Sequence, residues 1–126
     1  MFDAASENKL IGVHPDLVLV LRAAVKTSPV PFKITEGVRA LARQKQLKKA
    51  GASMTLDSRH LTGHAADIVC LVAGVIRWDW PLYHIAAAHI KEVAAKLDIP
   101  IEWGGDWKKF PDGPHFQLPK KQYPAV

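Results

Sequence analysis

Hydrophobic residues recur at helical spacing in two long stretches of the chain. Over residues 15–26 they repeat every three or four positions, and Pro15 with Asp16 suits a helix's first turn. A second stretch, ended by Pro100, carries an apolar stripe formed by Leu82, Ile85, Ala86, Ile90, Val93 and Leu97. Strong helix formers over residues 41–50 predict a third helix.

Four segments have the composition of β-strands. Residues 32–35 alternate between apolar and polar, residues 64–72 are apolar enough for a central strand, and residues 101–103 and 115–118 are shorter candidates. Residues 51–63 are rich in small, polar and glycine residues and predict an ordered loop. Because helices and strands mix without a regular βαβ rhythm, we expect an α+β fold with a small antiparallel sheet and flanking helices.

Length and composition limit the organisation of the chain. The 126 residues are 48% hydrophobic, which predicts one domain over residues 1–126 with its own core. Cys70 is the single cysteine, so no intrachain disulfide forms, and we expect it to be a small core residue. No apolar run is long enough to cross a bilayer, and the first residues do not resemble a secretory signal.

The formal charge of +5 favours an anionic partner, such as nucleic acid, an acidic membrane surface or a carboxylate-rich wall polymer. Charge alone does not choose among them. Lys45, Lys48 and Lys49 form the densest basic group, and we interpret them as one solvated helix face. A nucleic-acid binder is supported by charge only, because the chain has no recognisable recognition helix or aromatic platform.

Asp67 is a carboxylate inside an apolar predicted strand, seven residues after His60. Burying it is unfavourable unless a positive group neutralises it. Three interpretations remain open at this point: a metal ligand, a buried salt bridge to Arg39 or Arg59, or an exposed edge position.

A second carboxylate and histidine, Asp112 and His115, lie three positions apart across a Gly-Pro turn. Together His60, Asp67 and His115 make a set of two imidazoles and one carboxylate, which suits Zn²⁺ with a fourth position left for water. Asp112 is then a candidate to carry protons, although an aspartate at such a turn is commonly only a turn former.

Other histidines and aromatic residues are weaker candidates. His64 follows His60 by four residues, but Gly63 between them opposes a helix that would make both ligands. We expect the remaining histidines to be structural or solvated: His14, His84 and His89. Trp103 and Trp107 are equally compatible with the lining of a cleft and with the core.

The chain contains the motif S-x-H-x-x-G-x-A-x-D over residues 58–67, followed by the Asp112 and His115 pair. In these motifs it resembles the zinc peptidases that cut peptidoglycan stem peptides, a group that contains D-alanyl-D-alanine carboxypeptidases and phage L-alanyl-D-glutamate endopeptidases. The resemblance implies a hedgehog or D-Ala-D-Ala peptidase-like fold. It also implies the following roles: His60, Asp67 and His115 as zinc ligands, Asp112 as general acid and base, Arg39 as oxyanion stabiliser, and Ser58 as a substrate contact.

Further segments resemble the phage endolysin branch, including residues 12–17, 35–39 and 102–107. That branch implies hydrolysis of the L-alanyl-D-glutamate bond of wall stem peptides by zinc-activated water, which lyses the bacterial host. We therefore expect a monomer without a separate wall-binding domain, made in the host cytoplasm and reaching the wall through a separate holin-type pore. The alternatives are a D-alanyl-D-alanine carboxypeptidase and a non-catalytic zinc-containing binding module.

Overall fold

A computed structural model describes residues 1–51 and 58–124, less the side chains at positions 41, 42 and 44. The regular elements in these ranges are α1 (Ala4–Lys9), α2 (Pro15–Val25), β1 (Phe32–Glu36), α3 (Leu41–Lys49), β2 (Ala65–Val72), β3 (Val75–Arg77), α4 (Trp80–Lys96), β4 (Glu102–Trp103) and β5 (His115–Gln117). Two short 3₁₀ turns, Arg59–Thr62 and Gly104–Asp106, accompany them. The predicted α+β fold is confirmed.

The strands form one antiparallel sheet in the order β1-β2-β5-β4, and β3 pairs with the end of β2. Ala66, Ile68 and Cys70 of β2 belong to the main hydrophobic core. Because side chains alternate along a strand, Asp67 lies on the opposite face. Since β2 has neighbours on both sides, the interpretation of Asp67 as an edge-strand residue is wrong.

The core lies between the sheet and the helices α2 and α4, which contact each other. Helix α2 begins at Pro15, as predicted, and His14 Nδ1 caps it by accepting from Asp16 N at 3.1 Å. Cys70 is buried in the core, and burial raises the pKa of its thiol to about 11, which makes it a poor nucleophile. In the described ranges, no helix combines the length and apolar character needed to span a bilayer.

Helix α4 buries most of the predicted stripe, since Ala86 and Ile90 are buried and Leu82 and Val93 pack against the core. Ile85 is 45% exposed and Leu97 is 38% exposed, so the prediction for these two residues was wrong. Tyr83 is buried instead, because its hydroxyl accepts from Cys70 N at 3.1 Å and donates to Arg77 O at 2.8 Å. Small side chains complete the buried face and let the helix approach closely: Ala86, Ala87 and Ala94, beside Ile90.

Two short elements were not predicted. Helix α1 has six residues, too few for an apolar repeat, and it is anchored by buried Ser6, whose hydroxyl accepts from Ile34 N at 3.1 Å. Strand β3 is exposed throughout and forms a hairpin with β2. The hairpin turn places Ala73 and Gly74 at positive φ, 50° and 79°, as tight turns of the primed types require.

Candidate metal centre

Three side chains with metal-binding atoms converge at Asp67 of β2. His60 comes from the 3₁₀ turn Arg59–Thr62 and His115 comes from β5. Asp67 Oδ1 lies 3.2 Å from His60 Nε2 and 3.3 Å from His115 Nδ1, and one ligand atom from each residue lies within 4.8 Å of the other two. Two imidazoles and one carboxylate are a donor set of catalytic zinc sites. The residues therefore fit a zinc ion.

The antiparallel register of β2 and β5 creates half of this cluster. Asp67 and His115 are directly paired across the two strands. Directly opposite residues have neighbouring side chains on one face of the sheet. Ile68 N donates to Pro114 O at 2.9 Å, so the pairing extends one residue beyond β5 into the turn that precedes it. The register thus brings together two residues that are distant in sequence.

The 3₁₀ turn that carries His60 has a capping residue at each end. Ser58 caps it by accepting from His60 N at 3.2 Å. Gly63 ends it at a φ of 77°, and a Cβ there would lie 2.5 Å from Gly12 O. A residue with a side chain at position 63 would meet both a steric and a conformational penalty. The rest of the predicted loop, residues 52–57, lies outside the described residues.

A backbone carbonyl orients the ring of His60. Its Nδ1 lies 2.8 Å from Gly37 O, which only accepts, so Nδ1 carries a hydrogen and Nε2 faces Asp67. Gly37 has no room for a side chain, because a Cβ would lie 2.0 Å from Lys9 O at the end of α1. The short helix α1 therefore contributes to the position of His60.

Two imidazole rings and a guanidinium group surround the Asp67 carboxylate. Burial by itself raises the pKa of Asp67, but hydrogen bonds with His115 and His60 outweigh burial and hold that pKa below its ordinary value. Burial opposes protonation of His115, yet the hydrogen bond to Asp67 raises the pKa of His115. Arg39 Nη2 lies 3.7 Å from Asp67 Oδ2. The predicted contact with Arg39 is therefore present together with the two histidines, and Asp67 is anionic at neutral pH.

Arg59, the other predicted partner of Asp67, points to the C-terminal segment. Its Nη2 donates to Leu118 O at 2.8 Å and to Tyr123 O at 2.7 Å. The guanidinium of Arg39 is held by Glu36 through two hydrogen bonds, of 2.6 Å from Nε and 2.9 Å from Nη2. Glu36 was not predicted as part of the site, although its position three residues before Arg39 was visible in the sequence.

Asp112 lies on the turn before β5, beside the cluster. The turn is held by Trp103, whose indole Nε1 donates to Gly113 O at 2.7 Å, and by His115 N, which donates to Asp112 O at 3.2 Å. Burial, and then the negative charge of Asp67, raise the pKa of Asp112. A carboxyl group with a raised pKa is better matched to proton transfer near neutral pH.

An open cleft of about 760 Å³ passes the cluster, a volume typical of ligand sites. It contains all six predicted site residues: Arg39, Ser58, His60, Asp67, Asp112 and His115. Trp107 also lines it and lies 5.0 Å from His115 between ring centroids. Phe110 stands at the cleft with 63% of its surface exposed and a φ of 51°, which non-glycine residues seldom adopt.

Several weaker candidates lie away from the cluster. The sequence left two interpretations open for Trp103 and Trp107, the core and the lining of a cleft. Trp103 is a buried core residue, and Trp107 lines the cleft. His64 forms a hydrogen bond with Thr62 Oγ1 at 2.7 Å, and His89 forms one with Thr27 Oγ1 at 2.8 Å.

The sequence reasoning missed Gln117, whose Oε1 lies 2.8 Å from His115 Nε2. Its spacing of two residues from His115 in a strand was the available indication.

The family model described as phage L-alanyl-D-glutamate peptidase matches residues 1–118 of the chain. The chain belongs to this family. The L-alanyl-D-glutamate peptidase of Escherichia phage T5 is 33% identical over 110 residues, which cover 84% of this chain and 80% of that protein. The resemblance indicated by the motifs of residues 58–67 and 112–115 is thus confirmed.

Two solved structures are similar to this member of the family. The crystal structure of the Serratia marcescens L-Ala D-Glu endopeptidase ChiX matches with a TM-score of 0.93 and 52% identity, over 98% of this chain and 93% of that one. The vancomycin resistance D,D-dipeptidase VanXYg matches with a TM-score of 0.55 and 19% identity, over 84% and 50% respectively. The second likeness concerns the fold alone, and it agrees with the predicted D-Ala-D-Ala peptidase-like architecture.

Proposed function

We propose that the protein is a zinc-dependent L-alanyl-D-glutamate endopeptidase that hydrolyses the stem peptides of peptidoglycan and so lyses the bacterial host. The single observation that carries this proposal is the cluster of His60, Asp67 and His115, set in a cleft beside Asp112 in a chain of this family. A binding module needs no proton carrier beside the metal ligands, so Asp112 favours an enzyme over a non-catalytic zinc protein.

In this proposal, His60 Nε2, a carboxylate oxygen of Asp67 and His115 Nδ1 would hold the zinc ion. When bound, such an ion supplies Lewis-acid chemistry and lowers the pKa of water to about 7. The ligands are rigid before any ion arrives, because His60 and His115 are both buried and each ring is hydrogen-bonded on its outer side. Outer hydrogen bonds of this kind orient ligating histidines.

Asp112 carries the proton. As the oxygen of the attacking water bonds to the carbonyl carbon of L-alanine, the carboxylate of Asp112 accepts a proton from that water. When the carbon–nitrogen bond breaks, the protonated Asp112 delivers the proton to the departing amine of D-glutamate. The raised pKa of Asp112 brings the proton affinity of its carboxylate closer to that of the departing amine. The aspartate therefore returns to its starting state after each cleavage.

Arg39 stabilises the negative charge that develops on the carbonyl oxygen. Its side chain is buried and held by Glu36, so the guanidinium needs little reorganisation during the reaction. Preorganised positive charge acts more strongly on the transition state than on the neutral substrate. Ser58 lies in the cleft beside His60 and contacts the substrate in this proposal, in addition to capping the 3₁₀ turn.

We further propose that residues 1–126 act as a monomeric catalytic domain. The formal charge of +5 then supplies attraction to anionic envelope polymers. Synthesis in the host cytoplasm and passage through a separate holin-type pore complete the proposed route to the wall.

The test is mass spectrometry of purified peptidoglycan digested with the wild type and with Asp112→Asn. The wild type should release peptides with a new amino-terminal D-glutamate, a chelator should stop the release, and added zinc should restore it. Asp98→Asn is a matched control, because Asp98 is exposed at the end of α4 and its φ of 57° suits asparagine. Release of free D-alanine alone would exclude the endopeptidase in favour of a carboxypeptidase, and an unchanged rate in Asp112→Asn would exclude the proton-transfer role.

A further inference from the structure

Gln117 and Glu102 form a hydrogen-bonded chain behind His115. His115 Nε2 lies 2.8 Å from Gln117 Oε1, and Gln117 Nε2 donates to Glu102 Oε2 at 3.3 Å. Gln117 is buried, and Glu102 is half-buried. A buried chain of polar side chains that ends on a metal-binding histidine requires a physical explanation, because an apolar pair would fill the same space without the need for matched partners.

The sheet register places these groups in line. His115 and Gln117 are two residues apart on β5, so their side chains point to the same face. Glu102 of β4 is directly paired with Gln117 on the neighbouring strand. The pairing of β4 with β5 therefore places all three residues of this hydrogen-bonded chain on strands, and none of them lies on a loop.

The direction of the hydrogen bonds follows from the chemistry of the end group. An ionised carboxylate accepts hydrogen bonds and does not donate them, so Glu102 requires the NH₂ group of Gln117. The carbonyl oxygen of Gln117 then faces His115 and also only accepts. Nε2 of His115 must carry the hydrogen, which leaves the lone pair of the neutral ring on Nδ1. Nδ1 is the atom that lies 3.3 Å from Asp67 Oδ1.

We propose that Glu102 and Gln117 are positioning residues that hold His115 in the Nε2–H tautomer, so that Nδ1 is presented to the metal. His60 uses the opposite arrangement, with its Nδ1 hydrogen on Gly37 O and Nε2 toward the centre. This inference rests on the proposed function, because it assumes that a metal binds. It adds that the orientation of His115 depends on a side-chain relay.

Zinc affinity measured by competition with a chromogenic chelator tests the relay. Gln117→Leu removes the acceptor for Nε2–H, and we expect zinc affinity to fall about 10- to 100-fold. The exchange variant Glu102→Gln with Gln117→Glu keeps the net charge and side-chain sizes. In it the introduced carboxylate accepts from His115 and the introduced amide donates to that carboxylate. This variant should recover most of the affinity, and circular dichroism of each variant without metal reports whether it folds.

The tautomers themselves are visible in two-bond ¹H–¹⁵N spectra of the zinc-loaded wild type. His115 should show a protonated Nε2 and an unprotonated Nδ1, and His60 the reverse. A protonated Nδ1 on His115 would overturn the inference, and so would a folded Gln117→Leu with wild-type zinc affinity. If the wild type binds zinc and cleaves the wall in these cases, the relay alone is wrong. A wild type that binds no zinc would instead remove the proposed function together with the relay.

Discussion

Replacing Gly104 with alanine should displace the turn that carries Asp112. A Cβ built on Gly104 lies 2.4 Å from Asp112 O, 3.0 Å from Asp112 Cβ and 3.0 Å from His115 Cβ. The first distance is about 1 Å shorter than the 3.4 Å at which ordinary contact begins. No rotamer change relieves it, because the contacted atom belongs to the backbone. The same turn is already held to Gly104 O by Asp112 N at 2.9 Å, so the two segments cannot separate without losing a hydrogen bond.

The expected magnitude follows from this displacement. A shift of about 1 Å in a reacting group lowers the rate about 100-fold. We therefore expect kcat/KM of Gly104→Ala to fall by about that factor when the release of D-glutamate amines from purified wall is followed. Zinc affinity should fall as well, because the third close contact involves the Cβ of His115.

Gly74→Ala is the control for this experiment. Gly74 has a φ of 79° in the β2–β3 turn, and a Cβ at this position would have no described atom within 4 Å beyond its own chain neighbours. Alanine there should destabilise the fold by about 1 kcal/mol through backbone strain and leave turnover unchanged. Wild-type kcat/KM in a folded Gly104→Ala would refute the close packing of Asp112 on Gly104 as a requirement for activity.

Three further predictions concern charge. Asp112→Asn should raise the thermal unfolding midpoint of the metal-free protein at pH 7 relative to Asp98→Asn, because a raised folded pKa means that the ionised Asp112 destabilises the fold. This gain in the midpoint should disappear in acid, where the carboxyl group is protonated in both the folded and the unfolded state. Equal midpoints of the two variants at pH 7 would contradict the prediction. The hydrogen bond from Tyr123 to Asp16 raises the pKa of Tyr123 to about 12, so its stabilising contribution is complete below the unfolded pKa of about 10 and should be lost as pH rises through 12. Denaturation at pH 9 and pH 12 should show this loss in the wild type and not in Tyr123→Phe. Wall binding in a pull-down should weaken as sodium chloride is raised, because a charge of +5 attracts the wall through screened interactions, and salt-independent binding would exclude that attraction.

Local sequence patterns were sufficient for most of the secondary structure. Helix α2 and strands β1 and β2 occupy the predicted segments within one or two residues, since apolar periodicity and alternation depend only on near neighbours. The chemistry-bearing residues were also recognisable, because histidine and aspartate inside apolar or glycine-rich segments are unusual. Helix α1 escaped prediction because its six residues do not complete an apolar repeat, and strand β3 has only three residues, which are exposed and are defined by their pairing with β2.

The sequence by itself determined the family, the α+β class and the residue types at the centre. Each of these follows from motifs or periodic patterns that lie within short, continuous segments of the chain. Only the tertiary structure decided which partners those residues meet. The direct pairing of Asp67 with His115 and the placement of Gln117 and Glu102 behind His115 depend on strand register, and Arg59 reaches Leu118 and Tyr123 instead of Asp67. Register is set by packing summed over the whole sheet, so no local pattern contains it.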